Sequence, residues 1–122
     1  MNLNREKWRK RERRHKRVRQ RIIGTAERPR LSVYKSLKNV YCQLIDDMAG
    51  KTLASSSTLQ KDIREKVRYG GNRASAELVG QKIAEEARKI GIQKVVFDRG
   101  GYKFHGRIKA LAESARKNNL VF

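Results

Sequence analysis

Cysteine occurs once in this chain of 122 residues, at Cys42, and proline once, at Pro29. A lone cysteine excludes an internal disulfide and any cysteine cluster for zinc or iron–sulfur, which fits a reducing compartment. No apolar run approaches the length of a membrane span, and no signal-peptide h-region follows the basic start. Serine is absent before Ser32, while Glu6 and Glu12 interrupt the first basic run. Organellar transit segments are rich in serine and poor in acids, so this start reads as part of the working protein. Acids are scarce throughout: 12 Asp/Glu face 31 Lys/Arg, a net charge of +19.

The excess of positive charge is concentrated. The first thirty residues hold 13 Lys/Arg against three Glu. Arg9, Lys10, Arg11, Arg13, Arg14, His15, Lys16, Arg17, Arg19 and Arg21 lie in a stretch with almost nothing to bury. Such a segment repels itself until it meets a polyanion, and the densest polyanion for a small protein is a nucleic acid. Residues 1–30 therefore read as a basic arm and linker that orders on contact, helical over 3–21. Residues 31–122 have ordinary apolar density and read as one globular domain. They still carry 18 Lys/Arg against nine Asp/Glu, so the body binds the same partner as the arm.

Within the body, Arg30–Ser36 and Val40–Asp46 alternate between apolar and polar residues, as strands with one buried face do. Lys51–Thr58 makes a third strand, with Leu53 inward and Thr52, Ala54 and Ser56 outward. Short turns join the three into an antiparallel meander. Leu59, Ile63 and Val67 sit four apart and suggest a short helix. Asn72 is a capping candidate for a helix over 73–90, whose apolar stripe is Ala76, Val79, Ile83, Ala87 and Ile90. Gly80 lies beside that stripe and is expected to let the helix approach the sheet. A short strand at Lys94–Phe97 follows, implying a right-handed crossover to a parallel neighbour. A last helix spans about Gly106 to Lys117, and Leu120-Val121-Phe122 is too apolar to stay undocked. The expected fold is α/β: a two-layer mixed sheet in the order βββαβα, three antiparallel strands plus one parallel, with helices on one face.

Two places could carry function. The uncovered sheet face would present Ser32, Tyr34, Ser36, Tyr41, Gln43 and Ser56, groups that stack on bases and hydrogen-bond sugar hydroxyls and phosphates. Lys35 and Asn39 flank it, and Arg28 and Arg30 lead into it. The second place is Asp98-Arg99-Gly100-Gly101-Tyr102-Lys103-Phe104-His105-Gly106-Arg107. Its glycines let the backbone approach a phosphate, with Arg99, Lys103, His105 and Arg107 around it. Gly101 and Gly106 have the spacing of a nucleotide phosphate loop, but Arg107-Ile108 replaces the Lys-Ser/Thr pair that grips phosphates and magnesium, which argues against nucleotide hydrolysis. Asp46, Asp47 and Asp98 could in principle hold magnesium for a nuclease, though no clear further ligands accompany them. His15 belongs to the basic run. His105 has no acid at helical spacing to make it a general base. Cys42 alternates with core residues.

The segments Arg13–Arg19, Gly24–Tyr34, Asn39–Tyr41, Gln43–Asp47, Thr52–Leu59, Val96–Tyr102, His105–Arg107 and Ala110–Ala112 together resemble the eighteenth large-subunit ribosomal protein family of bacteria and plastids. The resemblance covers almost the whole chain. It implies a non-catalytic protein of the central protuberance that binds 5S rRNA and helps attach it to 23S rRNA, beside the fifth large-subunit protein. It implies no cofactor, metal, membrane or small-molecule substrate, and a cytoplasmic ribosome or that of a plastid stroma. Leu37 stands where the family often has Asn, Phe104 where Tyr is common, and Asn119 where Gly is frequent. Asn also tolerates the left-handed backbone a helix end needs. The rival readings are the metal-dependent nuclease and a general double-stranded nucleic-acid-binding protein.

Overall fold

The computed structural model describes Lys10, Arg13 and residues 22–66 and 70–122; the remainder of the expected arm helix lies outside the described residues. Strands β1 (Arg30–Lys35), β2 (Val40–Asp46) and β3 (Lys51–Ser57) are followed by a short helix α1 (Lys61–Arg64). Helix α2 (Arg73–Lys89), strand β4 (Val96–Asp98) and helix α3 (Gly106–Lys117) complete the fold. The sheet order is β3-β2-β1-β4, with β1–β2 and β2–β3 antiparallel and β1–β4 parallel. This is the expected mixed sheet, with the crossover helix α2 between strands of the parallel pair's connection.

The alternation in β1 and β2 decides which face is covered. Leu31, Val33, Val40, Cys42 and Leu44 are buried against Val79, Ile83 and Ala87 of α2 and Ile108, Leu111 and Ala115 of α3. Fully burying each Leu or Ile here is worth about 1.5–3 kcal/mol. Burial also pushes the Cys42 thiol far above its ordinary range, so it acts as a small core residue. Asn72 caps α2 as anticipated: its side chain accepts from the Ser75 N–H at 2.9 Å, and Ser75 Oγ accepts from the Asn72 N–H at 3.2 Å.

Gly80 serves a different contact from the one expected. A Cβ at this position would collide with the Leu111 carbonyl and lie 3.0 Å from Ser114 Cβ. The glycine admits α3, not the sheet. The C-terminal residues dock. Val121 N–H donates to Gln93 O at 2.9 Å, its carbonyl accepts from Val95 N–H at 3.1 Å, and Phe122 stacks on Phe97 with centroids 5.4 Å apart. Asn119, at φ +80°, occupies the left-handed region between α3 and this tail.

Strand β3 departs from simple alternation. Leu44 pairs with Ala54 and Ile45 with Thr52, so Leu53 is an extra, bulged residue. Beyond the bulge the phase inverts. Ser56 pairs with Cys42 and points at α2, where its hydroxyl donates to Val79 O at 3.1 Å. Ser56 is therefore buried, and Ala54 packs toward the core. Of the apolar trio expected in 59–69, Ile63 is buried and Leu59 half exposed, while Val67 lies outside the described residues.

Candidate nucleic-acid interface

Because α2 and α3 pack on one side, the other side of the sheet carries no helix among the described residues; Gly24 packs over its Arg30–Ile45 end, and the rest is open. Its side chains form two cross-strand rows: Ser32, Gln43 and Ser55, then Tyr34, Tyr41 and Ser57. Tyr34 and Tyr41 face one another with ring centroids 5.7 Å apart and planes tilted by 39°. Tyr34 is 54% exposed, which leaves a face of its ring open to solvent. Ser55 and Ser57 enter this face in place of Ser56. The bulge that sets their direction leaves no mark in the alternation pattern.

The glycine loop is built from its first residue. Asp98 is fully buried at the end of β4, and its Oδ1 accepts from the Gly100 N–H at 2.9 Å. Gly100 and Gly101 follow at φ +65° and +79°, conformations that side-chain-bearing residues adopt only at a cost. The turn brings Tyr102 against the end of β1. Its hydroxyl donates to Lys35 O at 3.3 Å and accepts from Lys35 N–H at 3.4 Å, and Lys35 Nζ lies 5.3 Å from the ring centroid. Arg107, in the first turn of α3, donates through Nη1 to Ser36 O at 2.7 Å and Asn39 O at 3.5 Å. The loop, the β1–β2 turn and α3 are thereby one unit.

Between this unit and the start of α2 lies a depression of about 910 Å³, lined by Lys35, Arg73, Lys103, His105 and Arg107 with Gly71, Asn72 and Tyr102 among their neighbours. No acid lines it. Lys35 is held below the ordinary lysine range, first by burial and then by the positive charge of Arg107. Gly71, Asn72 and Arg73 line the depression although linear reading did not place them there. They lie about thirty positions from the glycine loop, and only the packing of α2 on α3 brings them to it.

Arg30 is the principal correction. It is buried, with Nε and Nη2 bound to the two oxygens of Asp47 at 2.9 and 3.0 Å and Nη1 bound to Asp98 Oδ2 at 2.7 Å. The hydrogen bond to Asp47 raises its already high pKa against the opposing effect of burial, with Asp98 adding to the rise. Its guanidinium is committed inside the fold, as is the hydroxyl of Ser56. Asp46 Oδ1 accepts from the Met48 and Ala49 N–H groups. All three aspartates weighed as metal ligands thus have structural partners, and among the described residues no group of three His, Cys, Asp or Glu side chains could hold a metal.

The remaining expected residues divide by exposure. Arg28, Gln43, Arg99, Lys103 and His105 are exposed, while Ser32, Lys35, Ser36, Asn39, Tyr41, Tyr102 and Arg107 are half-buried at the surface. Gly100 and Gly101 are buried beneath the loop. Lys10 and Arg13 are exposed on helical backbone. Arg9, Arg11, Arg14, His15, Lys16, Arg17, Arg19 and Arg21 lie outside the described residues. No helix among the described residues is long and apolar enough to cross a membrane.

Residues 5–122 match the family model described as ribosomal L18 of archaea, bacteria, mitochondria and chloroplasts. The large ribosomal subunit protein uL18 of Acetivibrio thermocellus is 56% identical over 110 residues, covering 90% of each chain. That of Kosmotoga olearia is 54% identical over 112 residues, 92% of each. That of Clostridium botulinum strain Loch Maree is 58% identical over 112 residues, again 92% of each.

Proposed function

The chain belongs to the L18 family of large-subunit ribosomal proteins, and from that premise we propose that it binds 5S rRNA and helps attach it to 23S rRNA in the central protuberance, beside the fifth large-subunit protein. The observation that carries this reading is the pairing of an open, tyrosine-bearing sheet face with an acid-free cationic depression on the same small body. Stacking surfaces accept bases, and fixed cations accept phosphates. The role is structural: it works by neutralising charge and matching shape, without catalysis or a cofactor, on the ribosome in the cytoplasm.

Residues 1–30 are proposed to act as the arm and 31–122 as the docking body. The root of the arm is already fastened. Gly24 N–H donates to Asp47 Oδ2 at 2.7 Å, and Asp47 N–H returns a bond to Gly24 O at 2.9 Å. The arm therefore leaves the body at a fixed point and follows phosphates of 5S and 23S rRNA.

Equilibrium binding to 5S rRNA, with duplex DNA as competitor at fixed salt and with magnesium present, tests the reading. The expected result is a strong preference for 5S rRNA, which stays full length. Equal affinity for duplex DNA would instead indicate a general double-stranded nucleic-acid binder, and shortening of the RNA would indicate a nuclease.

A further inference from the structure

The two long helices both begin with the wrong charge. A helix N-terminus carries partial positive charge and is stabilised by Asp or Glu in its first turn. Yet α2 opens with Arg73, α3 opens with Gly106-Arg107, and neither has an acid in its first turn. Both arginines line the same depression, with Lys35 and Lys103 completing its wall. Four cations are gathered in one hollow with no acid lining it, and Lys35 feels the repulsion of Arg107. A local rule broken twice at one place marks a site organised around something other than stability.

We propose that this depression is a two-walled phosphodiester site, in which Arg73 of α2 and Lys35, Lys103 and Arg107 of the opposite wall hold one segment of RNA backbone. The proposal rests on the RNA-binding reading and extends it to Arg73, which lies far in sequence from the glycine loop. Arg107 is pre-set for the task, since its Nη1 is already anchored to Ser36 O. A planar guanidinium held at one nitrogen keeps its orientation when a phosphate arrives. Of the two helix starts only that of α3 leaves room for an oxyanion, since His105 at its N-cap makes no side-chain cap bond, whereas α2 is capped by Asn72.

The full-length protein, free of RNA, is titrated with inorganic phosphate while backbone amides are followed by NMR. Saturable shifts confined to Gly71–Arg73 and Gly101–Arg107 are expected. Arg73→Gln should abolish them while leaving the Asn72–Ser75 cap, and so the fold, intact. In 5S rRNA binding the same variant should reduce the slope of log affinity against log salt by about 0.7–0.9, the loss of one phosphate contact. Shifts that rise without saturation over the whole basic surface would overturn the proposal, as would an unchanged salt slope in folded Arg73→Gln. If the parent protein binds 5S rRNA but the depression ignores phosphate, only this inference falls. If the parent does not bind 5S rRNA, the functional reading itself falls.

Discussion

Arg30 Nη1 and Asp98 Oδ2 lie 2.7 Å apart across 68 positions of sequence, and both side chains are almost wholly removed from water. The same guanidinium grips Asp47, which in turn holds Gly24. One buried arginine thus joins the root of the arm, the β2–β3 turn and the start of the glycine loop. Removing one member of a buried pair leaves an uncompensated charge. Arg30→Met is expected to destabilise the protein by about 3–5 kcal/mol, read from urea unfolding. Loss of less than about 1 kcal/mol would mean that water reaches the two carboxylates and replaces the arginine.

Gly101 sits at φ +79°. Gly101→Val must adopt a left-handed backbone that costs a β-branched residue at least about 1–2 kcal/mol, and the loop should shift away from its present shape. Weaker 5S rRNA binding is expected with little change in salt slope, since no charge is lost. Arg107→Ala should behave differently, lowering the slope by about one contact. Binding of both variants at parental strength across a salt series, with melts confirming that they are folded, would remove the loop from the interface.

Tyr34 and Tyr41 offer rings on the open face with little role in the core. Tyr34→Ala or Tyr41→Ala is expected to weaken 5S rRNA binding by about 1–3 kcal/mol if a base stacks there. Thermal stability should change little for Tyr34, the more exposed ring. Normal binding by both folded variants would identify the face as simply solvated.

Eleven Lys/Arg lie between Arg5 and Arg21. If about half neutralise phosphates, deleting residues 1–21 should flatten the salt slope by roughly 4–5 units, at about 0.7–0.9 per contact. The truncated protein should keep its fold, because the described core lies entirely within later residues. Isothermal titration of both forms over a salt series checks this.

Gly80→Ala sets two effects against each other. Alanine favours a helix interior by about 1 kcal/mol over glycine. The new methyl, however, meets the Leu111 carbonyl, a backbone atom that cannot rotate aside. Overpacking of this kind costs about 1–3 kcal/mol, so net destabilisation is expected. A stabilised Gly80→Ala protein would show that α2 and α3 can separate cheaply.

Much of this architecture is legible from the chain itself. The alternation of β1 and β2, the stripe and cap of α2, and the glycines before α3 are local signals, and local physics reads them correctly. The segments shared with the ribosomal family added the identity. What escaped reading depends on distance or on a missing signal. Ser56 faces inward because Leu53 is bulged, and a pattern of alternation cannot register an unpaired residue. Arg30 looks like one more surface cation until Asp47 and Asp98 arrive from 17 and 68 positions away. Arg73 joins the depression only after two helices pack, and Gly80 reveals its partner only then.

The fastening of Gly24 to Asp47 turns the arm into a tether with a known anchorage. The cations from Arg5 to Arg21 lie within 19 residues of that anchor, so their reach is bounded at roughly 65 Å for a fully extended chain. Once the body is seated, every arm cation is confined within that radius of its targets, and each further contact is intramolecular. In the proposed binding mode, individually weak arm contacts act through local concentration, and the protein can rebind with the arm before the body diffuses away. Rising salt should peel such an assembly in stages, arm before body, giving two-step release where a rigid basic block would leave in one.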